Sequence, residues 1–422
     1  MFLNVLPRGL IALPVLLCAL PQALAAPARQ PLQIELTHRL GDDKGAQLQK
    51  LVDRFNAQQK DGQIVLRQGG WDGSKQAVLG IHPEAEAQGL VAAKRVKPLW
   101  QMMGEAGASL PTLPVPPMMV PGSTDSANRL MALPVGLSSP VVFHNRELLA
   151  QAGVDVAALP RDWRGWQDVL GRLYQAGEAC PMTVSQPVFT LIENASAWNN
   201  QAFVKPLKGG KGEQIAVNGL VQVKHLAMLT TWRKANYLHY FGRADEGEAK
   251  FASGECAVLV APSAAFPTLK RQAKFAVGVS AYPYHDDAYG APQNTWADGP
   301  ALWVAAGRSA AEYKLAARFV RFWLTPESQV EWQVGAGYLP LNTSGLLVAQ
   351  SSQLLSDELA AQRLAIAQLT HKPVTAASRA TAFGHRRGVR EVIAEEVEAV
   401  FADRKPAKQG LDDAVQRIER LR

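Results

Sequence analysis

Five turns in this chain place small, backbone-exposing residues at the end of a strand or the start of a helix: GGWDG, GLSSP, NASAWNN, DGPALW and GAGYLPLN. Four of them also carry an aromatic ring. Amides, hydroxyls and ring faces together can hold a small polar ligand, because each polar group taken out of water then finds a partner. Open α/β sheets place ligands at such strand ends. Any one of these turns is ordinary loop chemistry, but five in one chain point toward binding. Covalent chemistry has no comparable support: the chain lacks G-x-S-x-G, H-E-x-x-H, a P-loop, and a serine three residues before a lysine. LKGGKGEQ has glycines beside a lysine without P-loop spacing and reads as a surface turn. The one histidine grouped with carboxylates, His285-Asp286-Asp287, reads as a solvated turn rather than a metal site. Asn194-Ala195-Ser196 matches a glycosylation acceptor, which is a weak signal. No catalytic residue, cofactor or metal is expected.

The elements that must position these turns follow from periodicity. PLQIELTH and GQIVLRQ read as strands flanking a helix, with Leu48, Leu51, Val52 and Phe55 at helical spacing. That order predicts a parallel α/β sheet. RLMALPVGLSSPVVFHN reads as a broken double strand. DWRGWQDVLGRLYQAG reads as a helix capped by Asp162, with Trp163, Trp166, Leu170 and Leu173 as its buried stripe. EAKFASGECAVLVAPSA turns into a continuous apolar strand that must be covered on both faces, and FAVGVSAYPY is another strand. VKHLAMLTTWRKANY is a helix, and two more divide at Thr325-Pro326, with proline at the first position of the second. REVIAEEVEAVFADRK and LDDAVQRIERLR predict a helical C-terminus.

The first residues combine Arg8, an apolar run from Leu10 to Leu20, and Ala23-Leu24-Ala25, the pattern of an export signal cut near Ala26. The run is shorter than the roughly 20 residues of a spanning helix. Residues 1–25 are therefore expected to be removed, placing the mature chain in the periplasm as a monomer. The remainder suits two lobes better than one core. The chain carries a formal charge of +7. Without basic blocks or interleaved aromatics on an exported chain, nucleic acid is not expected as a partner. Cys180 and Cys256 remain after the leader, and a bridge between them is open either way.

DW...DVLGRL, KFASGECAV and FVRFWLTPESQVEW....GYLP together resemble the extracellular solute-binding proteins of carbohydrate-type ABC importers. ENASAWNN, QVKHLAML, FGRADEGEAKFASGECA, YPYHDDAYGAPQN and REVIAEEVEAVF are most similar to family members that take glycerol-3-phosphate. The resemblance implies an α/β fold of two lobes joined by hinge strands, closing on a ligand that is handed to a membrane ABC permease. It implies residues 26–138 and 276–327 in one lobe, with 139–275 and 328–422 in the other. By position it carries over Glu84, Ser138, Gly299, Tyr338 and Arg390 as ligand contacts. Arg390 in GHRRGVRE then matches the arginine that grips phosphate, a role suited to a planar two-pronged donor at a helix start. Gly299 would bring a backbone amide close to the ligand, Ser138 would donate to the phosphate, and Glu84 would accept from glycerol hydroxyls. The chain departs from the family at Trp71, where a tyrosine is expected, and at Gln186 and Phe189, where two tryptophans are expected. It has Pro262 in place of a serine, with Ser263 adjacent, and lacks a stretch before Glu84. These changes fall on the glycerol half of the pocket and widen the expected ligand from glycerol-3-phosphate to a glycerophosphodiester, with a neutral sugar, or a scaffold that binds nothing, as the alternatives.

Overall fold

A computed structural model describes Met1 and residues 31–421, apart from 72–76, 111–122, 126, 128, 208–211, 342–356, 381–384 and the side chain of Glu84. The expected leader, most of GGWDG beyond Trp71, and the centre of LKGGKGEQ lie outside the described residues. The strands run β1 (Leu32–His38), β2 (Gly62–Gln68), β3 (Ala77–Pro83), β4 (Val96–Lys97) and β5 (Pro140–Asn145). They continue with β6 (Met182–Val184), β7 (Val204–Pro206), β8 (Glu213–Ile215), β9 (Leu238–His239), β10 (Val258–Pro262), β11 (Val277–Ser280) and β12 (Pro300–Ala305). Two five-stranded sheets result, in the orders β2-β1-β3-β12-β4 and β11-β5-β10-β6-β9, and each forms the centre of one lobe. β7 and β8 make a separate two-stranded ribbon.

The strand-helix-strand start behaves as its pattern requires: β1 pairs in parallel with both β2 and β3. The sheet is nonetheless mixed. β12 enters it from the other lobe in the opposite direction, and pairs antiparallel to β3 and β4. The second sheet is mixed for the same reason, with β10 parallel to β6 and antiparallel to β5. The division drawn from sequence gave residues 276–327 to the first lobe, yet β11 pairs with β5 inside the second sheet. The chain recrosses only after Ser280. The broken double strand reduces to β5 plus isolated bridges at Leu133 and Ser138, because those residues pair with the returning chain instead.

Local chemistry accounts for the helices. Asp162 caps Trp163–Gln175 by accepting from the Gly165 amide at 2.9 Å. Its tryptophans and leucines are buried, as their spacing implies; each leucine so covered contributes about 1.5–3 kcal/mol. Ser309 and Glu312 form a reciprocal capping box on Ala310–Trp323. Thr325 caps Pro326–Ala336, which stops at Gly337 in a left-handed conformation. β10 is buried along its whole length, at the centre of its sheet. No helix among the described residues is long and apolar enough to cross a membrane.

Two features below the second sheet have measurable consequences. Cys180 and Cys256 form a disulfide across a sequence separation of 76 residues. Replacing both with alanine should lower unfolding stability by about 2–4 kcal/mol, read by chemical denaturation; complete thiol labelling of the denatured, unreduced protein would contradict the bond. His285, expected on a solvated turn, is instead buried, with its Nε2 3.0 Å from Nδ1 of His225. Burial first, and then the charge of Lys224, push the His285 pKa down to about 4. Burial and His285 depress His225, while burial and Arg146 bring His144 to about 4. All three hold their folded pKa below the ordinary 6.5, so the unfolded chain takes up more protons on acidification. Their stabilising contribution is complete above pH 6.5 and fades as pH falls toward 4. Melting temperature should drop across that window, and a flat profile would refute the assignment.

Candidate ligand site

The chain passes between the lobes in segments that lie side by side. Leu133 and Ser138 bridge to Leu302 and Asp298, the Gly136 amide donates to the Pro300 carbonyl at 2.8 Å, and Leu339 donates to Leu137 at 2.8 Å. GLSSP, DGPALW and GAGYLPLN therefore meet at one crossing. NASAWNN joins them through Asn194, whose side chain accepts from the Trp296 amide at 2.6 Å and donates to the Phe189 carbonyl. Asn194 is fully buried, so it is no glycosylation acceptor in the folded chain. Gly299 has φ 151°, and a Cβ there would stand 1.7 Å from the Gly136 carbonyl oxygen. Its requirement for glycine comes from this close approach of two crossing segments.

Ser138 and Asp298 exchange both backbone hydrogen bonds at 3.0 Å, and the Ser138 hydroxyl donates to the Asp298 carbonyl at 3.3 Å. The Asp298 carboxylate faces the second lobe, where it meets Nη2 of Arg390 at 2.6 Å and Nη2 of Arg386 at 3.1 Å. Both arginines lie on the helix Arg386–Phe401, four residues apart and hence on one face. Cations at a helix start oppose its dipole, and here carboxylates answer them. Glu193, completely buried, accepts from Nε and Nη2 of Arg390 at 2.7 and 2.6 Å. It ends a π-helical turn, Val188–Glu193, entered through Gln186 in a left-handed conformation at φ 49°. Such turns are rare and frequently lie at functional sites.

The charges tune one another. Burial alone would lower the Arg390 pKa, but Glu193 and then Asp298 outweigh it and hold the guanidinium charged. Burial would raise Asp298, and Arg386 followed by Arg390 keep its carboxyl below the usual range. Two guanidiniums thus face two carboxylates at the crossing. The Arg390 guanidinium carbon also lies 5.6 Å from the centre of the Phe189 ring, within cation–π range.

Arg390 opens onto a cleft of about 330 Å³, within the range of small-ligand sites. Ala85 from the first lobe and Gln186, Phe189, Arg243, Arg387 and Arg390 from the second line it. The two outer arginines are each held by a glutamate of the same helix, Arg243 by Glu398 at 2.7 Å and Arg387 by Glu391 at 2.9 Å. Gln186, Phe189 and Arg390 are therefore brought together, and Ser138 and Gly299 stand behind Arg390 through Asp298. Glu84 starts the helix Glu84–Ala92 beside Ala85, and its side chain lies outside the described residues. Three others fall elsewhere. Trp71 is buried, donates to the Ala77 carbonyl at 3.3 Å, and packs over Gly80. Ser263 is buried, its hydroxyl accepting from the Ser139 amide at 3.4 Å. Tyr338 is buried and stacks on Trp332, ring centres 5.6 Å apart, in an apolar cluster that draws on both sheets. The helix start is also less open than expected, since the Arg386 amide donates to Gln88 of the first lobe at 3.2 Å.

Glu193, Asp298 and Arg386 were not expected from sequence. The four-residue spacing of Arg386 and Arg390 in GHRRGVRE was the available signal, since paired cations on a buried face demand anions. The carboxylates that answer them come from segments 88 or more residues away and carry no local mark.

Two lobes on mixed sheets, crossed by several segments and meeting at an arginine-lined cleft, define a solute-binding protein of the kind that serves ABC importers. The chain belongs to the bacterial extracellular solute-binding protein family, whose pattern matches residues 50–361. A sn-glycerol-3-phosphate-binding periplasmic protein UgpB of Pectobacterium atrosepticum is 31% identical over 95% of this chain and 93% of its own length. The protein of that name from Yersinia pestis is 30% identical over 94% of each. Among solved structures, UgpB from Mycobacterium tuberculosis in complex with glycerophosphocholine superposes with a TM-score of 0.73 at 16% identity, covering 92% of this chain and 98% of that one. A cyclic α-maltosyl-1,6-maltose-binding protein from Arthrobacter globiformis gives 0.67 at 17% identity, with the same coverage. These structural likenesses speak for the fold.

Removing one partner from a buried ion network leaves an uncompensated charge. Glu193→Ala should lower stability by about 3–5 kcal/mol, measured by urea unfolding, whereas an equal loss on removing the exposed Glu391 would show that burial is not what matters.

Proposed function

We propose that this solute-binding component takes a phosphate ester of glycerol into the cleft at Arg390, with a glycerophosphodiester preferred, and presents it to an ABC permease. The observation that carries this reading is the cleft itself, where three guanidiniums, of Arg243, Arg387 and Arg390, surround the apolar surface of Phe189, Val188 and Ala394. Guanidiniums supply paired donors for phosphate oxygens, and the apolar floor suits a carbon skeleton. The names of the Pectobacterium and Yersinia relatives support the ester class. Gln186, where the family resemblance leads one to expect a ring, stands exposed at the cleft and widens it for a substituent beyond phosphate. Residues 26–138 and 139–275 form the bodies of the two lobes in this reading, and ligand shifts the population toward the closed arrangement that a permease recognises. A neutral sugar is the second reading, favoured by the carboxylates that already balance Arg390.

Calorimetry against glycerophosphocholine, glycerol-3-phosphate and maltose separates the two. The diester should bind at least as tightly as the monoester. Arg390→Ala should weaken it by about 2–5 kcal/mol, the range for truncating one side of a buried charge pair, and Arg390→Lys should recover part. Maltose binding that survives Arg390→Ala would replace the ester reading with the sugar reading.

A further inference from the structure

Ser138 and Arg390 are the two positions at which phosphate contacts are expected, Gly299 is a further expected ligand contact, and a single residue of the chain engages the first two and adjoins the third. The Ser138 hydroxyl and amide meet the backbone carbonyl of Asp298, Gly299 follows Asp298 directly in the chain, and the Arg390 guanidinium pairs with the Asp298 carboxylate. Arg386 adds a further donor at 3.1 Å. A carboxylate and a phosphate use the same donors, a guanidinium edge and a backbone amide. The formal balance at the crossing, Arg386 and Arg390 against Glu193 and Asp298, is zero. A phosphomonoester near neutral pH brings close to two negative charges into that balanced network, and a diester brings one. In a partly buried site the second charge is expensive unless a cation answers it.

We propose that Asp298 is the specificity-determining residue of the cleft: its carboxylate is a built-in anion on the donors a phosphate would otherwise take, so the cleft selects a singly charged phosphodiester over a doubly charged phosphomonoester. Asp298 sits at the segment crossing where the chain returns to the first lobe, so its backbone is fixed by Ser138 whatever its side chain does. Substituting it removes the carboxylate that faces Nη2 of Arg390 and leaves one net positive charge.

This rests on the ester reading above, and the test separates the two. Parent, Asp298→Asn and Asp298→Gly are titrated calorimetrically with glycerol-3-phosphate and with glycerophosphocholine. The variants should bind the monoester at least about tenfold more tightly than the parent, a shift of 1.4 kcal/mol, with a smaller change for the diester. Monoester affinity within about twofold of the parent, well under that tenfold step, or weaker, overturns the proposal while leaving the ester reading intact if the parent binds the diester. Should the parent bind neither ester and the variants gain the monoester, Asp298 holds its role and the ester reading falls. If none of the three proteins binds either ester, both are wrong. A variant that fails to fold alone should recover its structure when refolded with inorganic phosphate, because an external anion then replaces the lost carboxylate; failure to recover also overturns the proposal.

Discussion

A guanidinium held between two carboxylates is the contact on which this architecture turns. Arg390 reaches Glu193 on one side and Asp298 on the other, and the two acids belong to different parts of the chain. Glu193 is set by a π-helical turn of the second lobe, and Asp298 by the segment that re-enters the first. The pairing therefore does more than neutralise charge. It fixes the start of the helix Arg386–Phe401 against the place where the lobes join, and any ligand admitted to the cleft must come to terms with it.

That constraint explains why the crossing is built as it is. Backbone segments pressed this close leave no room for a side chain at residue 299, and the mutual hydrogen bonds of Ser138 and Asp298 hold the acid at a fixed point. Gln368 works on the other side of the junction, accepting from the Tyr282 amide at 2.7 Å and donating to the Pro140 carbonyl at 2.8 Å. A buried amide satisfied at both ends in this way specifies one arrangement of the crossing segments, because any slip strands its donor and acceptor together.

Much of the fold could be read from local pattern. The helix after Asp162 and the buried strand Val258–Pro262 follow from capping and apolar runs, which depend on neighbours in sequence. The mixed character of the sheets could not be read that way, since it depends on the direction in which a distant strand returns. The site divides along the same line. Arg390, Phe189 and Gln186 were singled out because family resemblance marks positions, and the three line one cleft. Asp298 was hidden because its importance comes from what stands opposite it, at a distance of 92 residues along the chain from Arg390. His285 misled for a related reason: flanking carboxylates suggest a wet turn, yet a partner 60 residues away draws the ring inside.

The disulfide lies wholly within one of the two halves. Cys180 and Cys256 precede β6 and β10, which are neighbours in the second sheet. The covalent tie thus runs across no crossing segment. A bond so placed stabilises a single folding unit, and the joining of the two halves is left to the crossing backbone and the contacts it makes.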